Sequence, residues 1–292
     1  HKAVGRKNAG KVNRSLEMIE LARKKGLPIT ADTYPYEFSQ ATSLVVTMVR
    51  QSWPALREIV KTSLSAAETP SPEMIRQAMA NDPGILQRAK KLPEVAAAAE
   101  KRLDSVIVRA PSSPECQGMI LADIVVKSGR SALDVVADLI ENDGLEVWAA
   151  GAIDARDVRT VISASFVMGG TDAFNVDRPI SPIAIHPRHY GTFPRIVGRF
   201  VREERLFSLE EAVRKCTAMP ARAMGIDDRG RVEEGLGADL VVFNGATLID
   251  TATGPEPYKR PEGIEYVLVN GKIAIEKREA RPVFAGRVLA HK

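Results

Sequence analysis

Apolar residues recur at helical spacing from Arg14 to Lys25, where Leu16, Ile19 and Ala22 share a face and Gly26 supplies a stop. The pattern then becomes a continuous run: "LPITADTYPY" predicts a buried strand from Pro28 to Asp32 that opens into a Tyr/Pro-rich loop. From Trp53 to Leu103 the chain is rich in Ala, Lys, Glu and Pro, which predicts short helices broken by prolines, an insertion over about residues 50–104. Strand signals resume at "SVIVRAP" (Ser105 to Pro111), and a helix follows from Ser131, with Asp134 placed like the acid of a capping box. "LEVWAAG" predicts a further strand, a helix begins near Asp154, and the apolar run in "SASFVMGGTDAF" (Ser163 to Phe174) predicts a strand ending in an acid. Strands alternating with helices in this way suggest parallel α/β units.

Two more helices are expected at Pro194 to Arg205 and Ser208 to Met219, the second opened by a Ser208/Glu211 capping box and ended by Pro220. From about Ile226 the period shortens. "RGRVEEGLGADLVVFNGATLID" and "IEYVLVNGKIAIEKREA" read as short alternating strands, with hairpin turns at Asn244-Gly245 and Asn270-Gly271. The expected organisation is an α/β portion over residues 1–225 and a small β unit over 226–292.

Composition changes this picture little. The 292 residues are 45% hydrophobic and 27% charged, an ordinary globular balance. The net charge of +4 comes without a basic block or an aromatic-interleaved basic stripe, which argues against nucleic acid as a partner. Cys116 and Cys216 lie far apart with no CxxC or Cys/His spacing, so no disulfide framework or zinc knot is indicated, and a cytoplasmic setting fits. No apolar run approaches a membrane span, so no membrane partner is expected. The chain opens on His1 and Lys2 without an initiator Met, which reads as a chain entered in its middle.

The candidate chemistry centres on Asp172. In a parallel α/β barrel, functional groups sit at the C-terminal ends of strands, and Asp172 follows such an end after two glycines. A carboxylate there serves as a general base or a metal ligand, or simply caps the following turn, and the pattern supports both kinds of role equally. Nearby, "IAIHPRHYGTFPR" gathers His186, Arg188, His189, Tyr190 and Arg195 in one loop, a set suited to an anionic or amide substrate. His186 and His189 are three apart with no third ligand beside them, a weak metal signal.

The stretches "HKAVGRKN", "TADTYPY", "GGTDAF", "HPRHYGTFPRIVGRFVREERLFSLEEAVRKCTAMPARAMGI", "DRGRVEEGLGADLVVFN" and "EGIEYVLVNGK" together resemble the N-acyl-D-amino-acid deacylases of the amidohydrolase superfamily. The resemblance runs from the first residue to beyond residue 270 and is most specific from His186 to Ile226. It implies the C-terminal part of a metal-dependent (β/α) TIM-like barrel with a helical insertion, followed by part of a small β-sandwich. It also implies hydrolysis of an N-acyl-D-amino acid to a carboxylate and a free D-amino acid by a zinc-bound water. In that comparison Asp172 matches the proton-shuttling aspartate, although the family usually has Gly-Ser-Asp-Gly where this chain has Gly-Thr-Asp-Ala. Lys2 and Tyr34 match substrate-binding residues, and Arg188 and Tyr190 fall in the substrate loop.

The family's metal ligands, an early His-x-His pair, a cysteine and two later histidines, have no counterpart here. The four histidines stand at 1, 186, 189 and 291, so the zinc ligands are expected upstream, on a missing N-terminal segment or a companion chain. Two other readings remain open: a non-catalytic amidohydrolase-fold interaction module, and a cyclic-amide hydrolase of the hydantoinase or dihydroorotase type. The "HPRHYGTFPR" loop speaks against the second.

Overall fold

A computed structural model describes residues 3–52, 54–56, 71–174, 185–254 and 256–289. Its strands are β1 (Ala31–Thr33), β2 (Thr42–Ser43), β3 (Val106–Arg109), β4 (Trp148–Gly151), β5 (Val167–Gly169), β6 (Leu240–Phe243), β7 (Ile264–Val269), β8 (Lys272–Glu276) and β9 (Glu279–Ala280). Two compact units result, one formed by His1–Ala3, Gly10–Glu37 and Ala155–Lys292, the other by Val4–Ala9 and Phe38–Asp154.

In the first unit β1 and β5 pair in parallel, with Ala31 opposite Val167 and Thr33 opposite Gly169. Phe166, Val167 and Met219 form a small core beneath them, against which Leu16 and Ile19 of the helix Lys11–Lys24 pack, the face the sequence predicts. That helix starts three residues before its expected beginning at Arg14. Gly10 takes a left-handed conformation ahead of it, and its N–H donates to both carboxylate oxygens of Asp157 at 3.0 Å. The cap therefore comes from 147 residues away, on the helix Ala155–Ser163. Lys215 is fully buried, and its ammonium donates to the carbonyls of Ala164 (2.6 Å) and Val167 (2.9 Å), tying the start of β5 to the helix Leu209–Cys216.

Ser208 caps Leu209–Cys216 by accepting from the Glu211 N–H, as its motif predicts. The helix does not run on to Met219. It breaks at Thr217, and Pro220 lies inside a second helix, Ala218–Ala223, rather than ending the first. In the first turn of that helix an amide has no partner four residues back, so proline is tolerated. The helix expected at Pro194 begins earlier: Arg188–Arg195 is α-helical and continues as a π-helix, Ile196–Glu203, whose wider turn is seen in the Glu204 N–H bond to the Arg199 carbonyl. Gly198 in this stretch packs so close to the Leu248 carbonyl that a Cβ would overlap it.

Glu204, just past this helix, accepts from Arg159 of the helix Ala155–Ser163 (2.6 and 2.8 Å) and from Arg199 of its own helix (2.9 Å). Burial alone would raise its pKa, but the two arginines hold it below the ordinary 4.5. A carboxylate depressed by folding stabilises the native state above its unfolded value, and that contribution is lost as pH falls through the folded value. Urea midpoints should therefore drop below pH 4.5, and Glu204→Gln should drop less steeply. Parallel acid profiles for the two proteins would discount the Glu204 cluster.

The tail forms one four-stranded antiparallel sheet, β6-β7-β8-β9. Asn270 and Gly271 both have positive φ and close the β7–β8 hairpin as predicted. Asn244-Gly245 makes no hairpin: the Asn244 side chain accepts from the Ala246 N–H, a local turn, and the chain wanders to Ile264 before it pairs with β6.

In the second unit the expected parallel pattern fails. β3 and β4 are antiparallel, with β2 on the far side of β4. The connection holds two helices, Leu121–Ser128 and Ala132–Asp143, of which the sequence pattern predicts only the second. One crossover helix returns the chain for a parallel strand; two reverse it once more. Ser131 accepts from the Asp134 N–H as expected. Val106, Val108, Val147 and Ala149 face a helical core to which Leu44, Ile75, Ala99 and Val136 belong. The described helices of the Ala/Glu/Lys/Pro-rich run are Pro72–Asn81, Ile85–Ala89 and Pro93–Arg102. Residues 53 and 57–70 of that run lie outside the described residues.

Candidate active site

Both halves of the candidate site grow from the exits of β1 and β5. Gly169 and Gly170 are there for space: a Cβ on Gly169 would press on Ile196 and Cys216, and one on Gly170 would collide with the Asp32 carboxylate. Beyond them the Thr171 hydroxyl accepts from the Ala173 N–H (3.2 Å), and Asp172 is held at φ 47°. Asp is among the few residues that enter this left-handed region readily. The turn so formed leaves Asp172 59% exposed.

One Asp172 oxygen lies 3.0 Å from the guanidinium of Arg188, which is almost wholly buried. Arg188 stacks over the Tyr34 ring at 4.7 Å, and its Nε is buried with no acceptor among the described residues. Burial raises the Tyr34 pKa against the opposing pull of Arg188, so the hydroxyl stays a proton donor near neutrality. The backbone of Arg188 is fixed by its N–H bond to His186 Nδ1 (3.0 Å), and the buried His186 ring meets Tyr34 and Tyr36 edge-on at 5.7 and 5.1 Å.

His189 donates from Nδ1 to the His186 carbonyl (2.9 Å) and accepts at Nε2 from the Phe174 N–H (3.4 Å), with the Phe174 ring edge-on at 4.6 Å. Burial lowers its pKa, which favours the neutral ring that this pattern requires. Deeper down, the nearly buried Arg195–Asp250 pair (3.0 Å) secures the loop to its helix. Arg195 also donates to the Pro35 carbonyl (2.8 Å) and stacks on Tyr36, whose hydroxyl donates to Asp250 at 3.2 Å. Gly191 admits this contact, since a Cβ there would overlap the Tyr36 hydroxyl.

The structure thus brings Asp172, Arg188 and Tyr34 together. Tyr190 instead stands edge-on to Tyr258 at 5.8 Å, and Lys2 lies outside the described residues. Sequence reasoning gave no role to Asp250, Tyr36 or Phe174. Asp250 carries no local signal, since it sits 55 residues from its arginine.

Residues 147–275 match the family model described as "Amidohydrolase family". The D-aminoacylase of Alcaligenes xylosoxydans xylosoxydans is 38% identical over 191 residues, 64% of this chain and 37% of that protein. The N-acyl-D-glutamate deacylase of the same organism is 41% identical over 158 residues, 54% of this chain and 30% of the relative. A solved D-aminoacylase with a binuclear metal centre superposes over 99% of this chain and 48% of its own, with a TM-score of 0.61 and 29% identity. Over these stretches the chain is similar to the D-aminoacylases. The N-acyl-D-glutamate deacylase of Bordetella bronchiseptica, solved with zinc and a phosphonate mimic of the tetrahedral intermediate, gives a TM-score of 0.58 at 29% identity, over 97% of this chain and 47% of its own. The chain spans a third to a half of the length of these D-aminoacylase relatives.

The described residues do not fit a zinc centre by themselves. No group of three or more His, Cys, Asp or Glu among them is arranged to hold a metal ion. Both His189 nitrogens and Nδ1 of His186 are already engaged in hydrogen bonds, and Asp172 is drawn to Arg188.

Proposed function

We propose that this chain carries the proton-handling carboxylate and the substrate loop of an amidohydrolase that cleaves N-acyl-D-amino acids. The observation that carries the reading is the exposed Asp172, set in a left-handed turn at a strand exit and oriented by a buried arginine. In this reading β1 and β5 are neighbouring strands of a (β/α) barrel, the tail sheet is part of a β-sandwich, and zinc donors come from outside the described residues.

Hydrolysis adds water across the amide: the oxygen joins the acyl carbon and the C–N bond breaks. Asp172 takes the proton released as water attacks and returns it to the departing nitrogen, so that the amine leaves neutral. Arg188 orients that carboxylate, and its unpaired Nε, with the Tyr34 hydroxyl, suits the carboxylate of the amino acid. Lys2 and Tyr190 complete the proposed substrate contacts.

The protein made from its complete reading frame should hydrolyse N-acetyl-D-amino acids, spare the L-enantiomers and lose activity to a chelator. The 292-residue chain expressed by itself should retain well under one zinc per chain, because its described residues offer no donor cluster. Hydrolysis of cyclic amides but not of N-acetyl-D-amino acids would overturn the substrate assignment.

A further inference from the structure

Three polar side chains stand in one row across the sheet of the second unit. Ser43 on β2 faces Trp148 on β4, and Trp148 faces Arg109 on β3. Residues directly opposite in antiparallel strands project from the same face with Cβ atoms about 5 Å apart. This face is the one turned away from the helical core, since Val108 and Ala149, the alternate residues, pack into that core.

All three are hydrogen-bond donors, and none has a protein acceptor among the described residues. The Trp148 indole N–H and the Ser43 hydroxyl are buried without a partner. Ser43 also precedes the helix Leu44–Gln51 as its N-cap residue, yet its side chain makes no cap bond, so the hydroxyl is not consumed by the helix. Arg109 is half-buried, has no carboxylate among the described residues within ion-pair distance, and has the Phe38 ring against its guanidinium at 5.5 Å. Burial disfavours its charge, with no carboxylate to offset the cost. The positive N-terminus of the eight-residue helix after Ser43 adds to the same end of the row.

We infer that this sheet face binds an organic carboxylate, held by Arg109, the Trp148 indole N–H and the Ser43 hydroxyl. An anion centred over Trp148 reaches donors on both sides, and a planar carboxylate accepts from guanidinium and indole together. Phe38, Ile107 and Ala150 place apolar surface around these donors, which favours a carboxylate with an apolar body over a fully hydrated phosphate. The inference uses residues of the second unit alone and stands whether or not the deacylase reading holds.

The test is NMR of the protein from its complete reading frame, labelled with 15N at tryptophan indoles, the Trp148 signal being assigned from Trp148→Phe. Titration with sodium hexanoate should move that signal saturably, and hexanamide, the neutral analogue, should not. Arg109→Gln should weaken hexanoate binding about tenfold or more and Ser43→Ala by a smaller factor, as expected for loss of a charged and a neutral donor. Circular dichroism reports whether each variant is folded. No saturable shift, equal shifts with hexanamide, tighter binding of inorganic phosphate, or unchanged hexanoate binding in a folded Arg109→Gln would each overturn the assignment.

Discussion

Replacing Asp172 with Asn is expected to lower turnover of N-acyl-D-amino acids by about 10²-fold or more while leaving the fold intact. The fold survives because Asn enters the left-handed region as readily as Asp, so φ 47° costs the variant little. The Asn amide cannot accept the water proton or return it to the leaving nitrogen. Because the Asn oxygen can still accept from Arg188, the loss should fall mainly on kcat, with KM changed far less. Turnover in the complete protein, measured beside its circular dichroism, decides the matter. Near-normal kcat in a folded variant would remove Asp172 from the chemistry and leave it a turn residue.

The second large effect belongs to Asp250. Its side chain is 3% exposed and pairs with Arg195, which is 12% exposed, while accepting from the Tyr36 hydroxyl. Asp250→Ala leaves a guanidinium nearly buried and unpaired, a change that costs about 3–5 kcal/mol. Asp250→Asn keeps an acceptor for both donors and should cost clearly less. Denaturant unfolding of the three proteins gives the comparison, and a loss below about 1 kcal/mol for Asp250→Ala would show that solvent replaces the pair. Activity should fall as well, because the helix pinned by Arg195 carries Arg188.

What the sequence reveals about this chain depends on the range of the interaction that sets each feature. Ser131 with Asp134, Ser208 with Glu211, and Asn270 with Gly271 act over three residues or fewer, and each is legible in the sequence and present in the structure. Local cues fail where a distant partner decides. Asp157 starts the helix Lys11–Lys24, and β6 takes its partner from Ile264 onward, far beyond the Asn244-Gly245 turn. The antiparallel pairing of β3 and β4 escaped because the helix Leu121–Ser128 went unread. In the site, Asp172, Arg188 and Tyr34 were visible through family motifs. Their mutual geometry was not, because it rests on His186, Tyr36 and Asp250 packing from three separate stretches of chain.

The π-helix Ile196–Glu203 sets a rule about chain length. Each residue of an α-helix advances the azimuth by about 100°, and a wide turn accommodates residues that ordinary winding would place elsewhere. Deleting one residue between 196 and 203 while the wide winding persisted would rotate everything on the N-terminal side by about a quarter of a turn. Arg195 would swing away from Asp250, and Arg188 away from Tyr34 and Asp172. Substitutions at the exposed positions of this stretch leave that phase untouched; the loss of a single residue does not.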